Sequence, residues 1–490
     1  MSNPQPSARQ PVPWAWSALG LIFVVFLYGW VGFHSYGYDD EFYTIKYVTE
    51  SATPSELIYT LATRDVHPPG SYLTVWALDQ LGVSFSVMRL LMGAIVATSL
   101  WALWRAVSEA EMFGATLGYM LICLNPTILL WGATLRWYSH SLPLAIGMFL
   151  LVRGGGRLGA WNFWGLFGLL SVLLGYMGYY NVLLMPALLG CALWSRRARL
   201  GQEWPTIVLL GVLSVALILP LALWMVPGQM VRGMGPHDTS LLRTVGGAIL
   251  HVFGGQSSMP LGLAAIVFAL CNILLLLSAA LRRQLHLGSS AAIVTLTSVG
   301  LALLGGLSGH FRSMVMFSPF QAVWQHAMFP RAGWLRAVLF CSFALATSAG
   351  LINVITHRET SKGNWNAPTG EALAAIEAQM AQCRNPAVFT YDPALVWHLQ
   401  DRGHKVLTVE RWTPDPEGAL NAHKGCLVLV RSHHRMLDAA FETGIQNGLK
   451  NWTEPHTTIE LGFDRHAAFK RRFDDRIPDI PIILYYYDPQ

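Results

Sequence analysis

The stretch "WAWSALGLIFVVFLYGWVGF" (Trp14–Phe33) carries no charge, and "HSYGYDDEFYTI" (His34–Ile45) follows it directly. The first run is long enough to cross a bilayer, which takes about 20 apolar residues. The second places Asp39, Asp40 and Glu41 in a row at the membrane edge. Arg9 is the only charge before the first run, and no small-residue cleavage site follows it, so the run reads as a retained helix rather than a signal peptide. The remaining sequence repeats the pattern. Of 490 residues, 53% are hydrophobic and 12% charged, and mean hydropathy is +0.40. A soluble chain has about twice that charge and could not cover this much apolar surface. The net charge of +5 requires no nucleic-acid partner, because most basic residues sit in short clusters between apolar runs, where they report topology.

The apolar runs are 14–33, 86–106, 114–131, 134–152, 161–178, 180–195, 205–226, 259–281, 289–308, 313–330 and 333–355. With the amino terminus cytoplasmic and these about eleven runs as spans, Arg105, Arg153/Arg157, Arg196/Arg197/Arg199, Arg282/Arg283 and Arg331/Arg336 all fall on the cytoplasmic side. The loops 34–85 and 227–258 and everything after residue 357 then fall outside. Counting "HPPGSYLTVWALDQLG" (67–82) as a span would invert that agreement, so it reads as a helix at the outer face or a re-entrant one. "PSELIYTLATRD" (54–65) reads as a second surface helix, with Thr53 and Pro54 at the N-cap and first-turn positions. The expected fold is therefore a polytopic α-helical membrane domain over 1–357, followed by an extracytoplasmic α/β domain over 358–490.

In that second region charges become frequent and the runs shorten. "AVFTYD" (387–392), "KVLTVE" (405–410), "CLVLVR" (426–431) and "IPIILYYYD" near the end read as strands, and "PALVWHLQDRG" and "HRMLDAAFETGIQNGL" as helices between them, giving a partly parallel sheet. No Gly-rich phosphate loop follows any strand. Cys123, Cys191, Cys271 and Cys341 lie in apolar runs as small core residues. Cys383 and Cys426 each precede a strand, and can pair if those strands are neighbours in an oxidising compartment.

Every residue group capable of chemistry falls on the outer side. Adjacent acids at an interface shift one another's protonation, so Asp39, Asp40 and Glu41 are candidates for a general base acting on an incoming hydroxyl, beside the plainer reading of a solvated anchor. In "RDVHPPG" (64–70), Pro68 and Pro69 stiffen the chain, Gly70 lets it bend into the next helix, and Arg64, Asp65 and His67 are presented toward a phosphate or a sugar. "TLRWYSHS" (134–141) puts Arg136, Tyr138 and His140 at the start of a span, where an arginine can simply snorkel or can grip a phosphate bidentately. Lys46, His310 and Arg312 are weaker candidates for the same role. Metal-ligand and GxSxG signatures are absent from the sequence; no cofactor is required, although a divalent cation is possible among Asp39, Asp40, Glu41 and Asp65.

Taken in order, the acidic "DE" (Asp40, Glu41), the surface helix, "HPPG" (67–70), a helix ending in "LG" (81–82), Ser84/Ser86 with Arg89, "LNPTILLWGAT" (124–134) and "LRWYS" (135–139) resemble the membrane-integral GT-C glycosyltransferases. Within that superfamily they are similar to the bacterial group of protein O-mannosyltransferases and the lipid A aminoarabinose transferase. The resemblance covers about residues 14–355, with a looser likeness in the tail. It implies a polyprenyl-phosphate-linked sugar donor and inverting transfer to an acceptor hydroxyl of a glycan, lipid or protein. It makes Asp40 the general base, with Asp39 an extra acid beside the matching pair. It also implies that Arg136, Tyr138 and His67 hold the donor phosphate. A transporter or flippase of an anionic lipid is the reading from another class; it favours charges near mid-membrane and paired repeats, whereas here the charges gather at one face.

Overall fold

The computed structural model describes residues 13–34, 39–65, 67–108, 112–227, 263–304, 315–330, 333–355, 369–407, 415–432, 439–450, 452, 454–461 and 482–487, with only the backbone of a few of these, Asp39 and Asp40 among them. The chain forms two compact units. The first comprises Met1–His34, Thr44–Ser258 and Leu263–Ile355; the second comprises Ser35–Tyr43, Met259–Gly262 and Thr356–Gln490.

The first unit is a multi-pass helical membrane protein. Helix α1 (Trp14–His34) packs along α5 (Phe85–Val107). The two backbones approach closely enough that a Cβ on Gly32 would lie 2.7 Å from the Arg89 carbonyl oxygen, and one on Gly93 2.7 Å from that of Tyr28. Such contact suits helices in lipid, where apolar side chains gain nothing by leaving one hydrocarbon for another and close van der Waals fit drives association. The opposite side of α1 exposes Leu19, Ile22, Phe23 and Phe26. Among the described residues, five helices are long and apolar enough to span, those within 14–34, 85–107, 160–177, 197–223 and 334–352.

Two of the apolar runs are not single straight spans. The run 114–131 divides into α6 (Met112–Cys123) and α7 (Pro126–Gly132), bent by 41°. Pro126 cannot continue the first helix, and the Asn125 side chain caps the second by accepting from Thr127 and Ile128 N–H at 3.0 and 3.3 Å. Of the run 313–330, the described part holds α14 (Ser318–Met328), 11 residues and thus about 16 Å. That helix is buried nearly all round, including Gln321 and Gln325, and Gln325 donates to Asn272 on α12 (Leu263–Leu281). The intervening helices are α8 (Trp137–Gly154), α9 (Ala160–Met177), α10 (Met185–Ser195), α11 (Leu200–Pro220) and α13 (Ser290–Leu304); α15 (Trp334–Ile355) follows α14. Cys123, Cys191 and Cys271 are buried, whereas Cys341 on α15 is exposed.

The basic clusters do more than report topology. Arg196 is buried and its guanidinium donates locally: Nε donates to Glu203 at 2.7 Å, Nη2 to the second Glu203 oxygen and to the Leu158 carbonyl, and Nη1 to the Gly155 carbonyl at 2.9 Å. Phe163 lies 4.4 Å beneath it, and Trp164 donates to the same carboxylate at 2.9 Å. This arginine closes the exposed carbonyls at the end of α8, which carry the negative end of the helix dipole.

Between α1 and α5 run three short helices, α2 (Asp39–Glu50), α3 (Pro54–Arg64) and α4 (Gly70–Gln80). Thr53 caps α3, accepting from Glu56 N–H at 3.2 Å while Glu56 accepts from Ala52 N–H at 2.9 Å. Helix α4 is 11 residues long, too short to span, as its low apolar count implies. Trp76 on α4 donates to the Ser51 carbonyl at 2.9 Å, and Tyr47 on α2 to the Arg64 carbonyl at 3.4 Å, so the three helices are laced together.

The second unit holds a five-stranded mixed sheet of order β2-β1-β3-β5-β4, with β1 (Ala387–Thr390) parallel to β2 (Val406–Leu407) and β3 (Leu427–Ser432). β5 (Ile482–Tyr487) runs antiparallel to β3 and to β4 (Thr457–Leu461). Residues 408–410 of the second expected strand lie outside the described residues. β4 escaped sequence reading because its edge pattern is polar and short. The helices are α16 (Thr369–Met380), α17 (Pro393–Asp401), α18 (Pro416–Asn421) and α19 (Ala439–Gly448). Asp392 caps α17, accepting from Ala394 N–H at 3.0 Å. Because β1 and β3 are neighbours, Cys383 and Cys426 come together, Cα atoms 6.1 Å apart, and form a disulfide.

The bond closes a loop of 43 residues, so the Cys383→Ser, Cys426→Ser pair is expected to lose about 3–4 kcal/mol of domain stability. Urea unfolding of the full-length protein with and without reductant, followed by domain proteolysis, measures the loss. His423 makes a second expectation. Its burial, and then the charge of Lys405, hold its ring below the ordinary histidine range. The unfolded chain therefore binds the proton more readily, and domain stability should fall as pH drops below about 6.5. His423→Gln, which keeps a donor for the Cys426 carbonyl, should flatten that slope in hydrogen exchange corrected for intrinsic rate.

Candidate active site

Arg136 is the N-cap of α8 and only 3% exposed. A buried guanidinium needs acceptors, and the short helices supply them. Its Nη1 donates to Thr44 Oγ1 on α2 at 3.1 Å and to Tyr72 Oη on α4 at 2.8 Å. Its Nη2 lies 3.1 Å from His67 Nε2. His140, one turn along α8, places Nδ1 3.0 Å from the Arg136 carbonyl, and Ser139 Oγ donates to the same carbonyl at 2.9 Å, fixing the backbone that carries the guanidinium.

Asp65 anchors the other side. It caps the end of α3 and is buried, and its Oδ1 accepts from the His67 backbone N–H at 3.1 Å and lies 2.7 Å from His67 Nδ1. Tyr72 Oη donates to its Oδ2 at 2.9 Å. An ionised carboxylate only accepts, so Nδ1 directs a proton at Asp65, while Arg136 Nη2 lies over the ring, 3.4 Å from Nδ1 and 3.1 Å from Nε2. The tandem prolines keep His67 where α3 leaves it. Gly70 serves a different purpose from the bend expected: a Cβ there would stand 2.6 Å from the Tyr176 carbonyl oxygen at the end of α9, so only glycine lets α4 start against that helix.

The structure thus joins Asp65, His67 and Arg136, three of the sequence candidates, in one hydrogen-bonded cluster. It adds Tyr72 and Thr44, which the sequence reading passed over. The signal for Tyr72 was a hydroxyl five residues after His67, between Ser71 and Thr74 in the first turns of the helix. Tyr138 is buried with its ring against Trp131 and Trp137, centroids 5.5 and 4.4 Å away. Arg64 directs its side chain to the surface, as does Lys46, which is 3.7 Å from Glu50 and two residues round α2 from Thr44. His310 and Arg312 lie outside the described residues.

Asp39 and Asp40 open α2, and their side chains are outside the described ones; Glu41, the next residue, is fully buried. Within the second unit, Phe42 is buried against Trp397 and His398 of α17, ring centroids 5.8 Å away in each case. The acid-bearing turn thus packs on a helix more than 350 residues later in the chain, a contact no local pattern announces. Among the described residues no group of three or more His, Cys, Asp or Glu is arranged to hold a metal.

The chain superposes on the crystal structure of ArnT from Cupriavidus metallidurans bound to undecaprenyl phosphate with a TM-score of 0.56, over 96% of this chain and 98% of that one, at 11% identity. The chain has an ArnT-like fold. The match spans both the helical domain and the α/β domain, so the GT-C resemblance carried by the ordered motifs holds for the architecture as a whole. At 11% identity the likeness to ArnT is one of fold, and the residues of the cluster stand on their own geometry. No known family's sequence profile and no curated protein matches the chain.

The cluster predicts strong coupling. Arg136→Leu leaves the Asp65 charge buried without its nearby cation and should cost about 3–5 kcal/mol. In an Asp65→Leu background the same change should cost at least about 1 kcal/mol less. Double-mutant cycles of unfolding in detergent check the difference.

Proposed function

We propose that the chain is a membrane glycosyltransferase that moves a sugar from a polyprenyl-phosphate donor to an acceptor hydroxyl. The observation that carries this reading is the buried guanidinium of Arg136, preorganised by His67, Tyr72 and Thr44 at the start of a membrane helix, in a fold it shares with a protein solved with undecaprenyl phosphate. A guanidinium so placed suits a phosphate that arrives on a lipid tail.

In this reading the acceptor hydroxyl gives its proton to a carboxylate of the Asp39–Asp40–Glu41 turn, with Asp40 as the base. The oxygen attacks the anomeric carbon from the face opposite the phosphate, and the configuration inverts. The bond from that carbon to the phosphate oxygen breaks, its electron pair leaving with the phosphate. Polyprenyl phosphate departs one negative charge richer, and Arg136 and His67 face that charge. Tyr138, packed between Trp131 and Trp137 two residues after Arg136, helps to hold the segment that carries the guanidinium. The arginine clusters keep the amino terminus and the opposite helix ends on the cytoplasmic side of the inner membrane, which places the site and the α/β domain outside. The Cys383–Cys426 disulfide supports that side, since such bonds persist in oxidising compartments.

A strain lacking the chain should accumulate one lipid-linked sugar, identified by mass spectrometry of its lipids. The wild type should clear it. Arg136→Ala should clear it about 100-fold more slowly, and Arg136→Lys, which lacks the planar fork, should restore little. Asp40→Asn should leave the lipid uncleared. Unchanged lipid-linked sugars with a changed distribution between leaflets would replace this reading with that of a transporter. Full activity in Asp40→Asn together with loss in Asp39→Asn would move the base to Asp39.

A further inference from the structure

We propose that the corner between α9 and α10, residues 174–181, positions Arg136 for the lipid phosphate, and that the missing side chain of Gly178 sets that position. The inference rests on the donor reading above and concerns what holds the guanidinium in register.

Helix α9 ends at Met177, and a 3-10 turn (Tyr179–Leu183) leads on to α10. Gly178 joins the two. Its backbone is extended, with φ −166°, a conformation open to any residue, so torsion does not call for glycine. Space does. A Cβ on Gly178 would stand 2.5 Å from Cε3 of Trp137 and 2.8 Å from its Cδ2. That indole is buried and has little room to step aside. The Tyr138 ring centroid lies 4.4 Å from it, and the Tyr180 ring stacks on it at 5.9 Å with planes 10° apart. Asn181, fully buried, adds a further contact: its Nδ2 donates to Ser141 Oγ on α8 at 2.8 Å and to the Leu174 carbonyl on α9 at 2.7 Å. The corner thus grips the first two turns of α8, at 137 and at 141.

Arg136 immediately precedes the gripped segment. It is the N-cap of α8, in an extended conformation, so its direction follows from where Trp137 is held. The same corner reaches the other half of the cluster. The Tyr176 carbonyl, two residues before Gly178, is the group against which Gly70 lies, and Gly70 follows His67 by three residues. One short stretch of chain therefore abuts sequence neighbours of both Arg136 and His67, whose Nη2 and Nε2 meet at 3.1 Å. A displaced indole draws the guanidinium away from that contact and from the phosphate it receives. Gly178, Tyr180 and Asn181 act through the segment they hold, not by touching the lipid. The other end of α8 supplies a matched intrusion: a Cβ on Gly155, the C-cap, would stand 2.6 Å from the buried Phe163 ring.

Native mass spectrometry of the full-length protein in detergent, with undecaprenyl phosphate as the probe, tests the proposal beside thermal unfolding of the same samples. Gly178→Ala should bind about tenfold more weakly than wild type. Gly155→Ala should destabilise the fold comparably yet change affinity by less than about twofold. Trp137→Phe withdraws the outer ring that a Cβ at 178 would strike, so adding Gly178→Ala to it should cost less than about twofold more. Tyr180→Leu, which removes the stacked ring without adding bulk, should weaken binding about threefold. It decides the matter if Gly178→Ala does not fold, wild-type affinity then overturning the inference. Equal loss in the two alanine variants, wild-type affinity in Gly178→Ala, or a Gly178→Ala loss that persists in full beside Trp137→Phe also overturns it and leaves the donor reading intact. Wild type that does not bind undecaprenyl phosphate overturns the donor reading and this inference with it.

Discussion

A guanidinium does not enter a hydrophobic bundle without company. Stripping one of water costs several kcal/mol, and the cost is met only when nearly every N–H finds an acceptor and a counter-charge lies close. Around Arg136 that requirement organises everything between the first two long helices. Helix α2 contributes a hydroxyl, α4 a phenol, the turn after α3 an imidazole and, behind it, a carboxylate. Three short helices would have little reason to pack at a membrane edge on apolar area alone, since each buries only a narrow stripe. The polar cluster gives them a common registration. In the proposed reaction the same cation receives the donor phosphate.

The second buried arginine, Arg196, shows the opposite use of the same chemistry. Four of its five donors are spent on Glu203 and on two backbone carbonyls, with an aromatic ring below. Nothing around it is exchangeable: the partners are covalently part of the helix ends it joins. Among the described residues, Arg136 instead contacts the side chains of Thr44, Tyr72 and His67, whose hydrogen bonds can be rearranged. That contrast separates a structural arginine from one suited to receive a ligand, although in sequence both are simply arginines beside an apolar run.

What could be read from sequence follows from what is local. Apolar length, basic clusters and the Thr53–Pro54 cap are short-range signals, and they give the helical domain, the surface helices and the parallel strand pair. The order of "DE", "HPPG" and "LRWYS" carried the GT-C likeness, and with it His67 and Arg136. Asp65 was visible as a polar residue, but its place behind His67 was not, since that depends on where α3 ends. Tyr72 and Thr44 were missed because a single hydroxyl on a short helix carries no pattern. The break at Asn125–Pro126 was hidden by an unbroken run of hydropathy. The packing of Phe42 on Trp397 and His398 joins positions far apart in the chain, and no periodicity reports such a contact.

The fit of Gly70 against the Tyr176 carbonyl has a mechanical consequence. The turn bearing Asp65 and His67 is tied on one side to α3 and on the other to a helix start with no clearance from α9. It therefore cannot swing as a hinged lid. Any displacement of His67 along the bundle must be shared by α9, and a motion that admits or releases a lipid between those helices would be felt at the imidazole as a rigid translation. The turn that bears Asp65 and His67 and the wall of the bundle are one moving part.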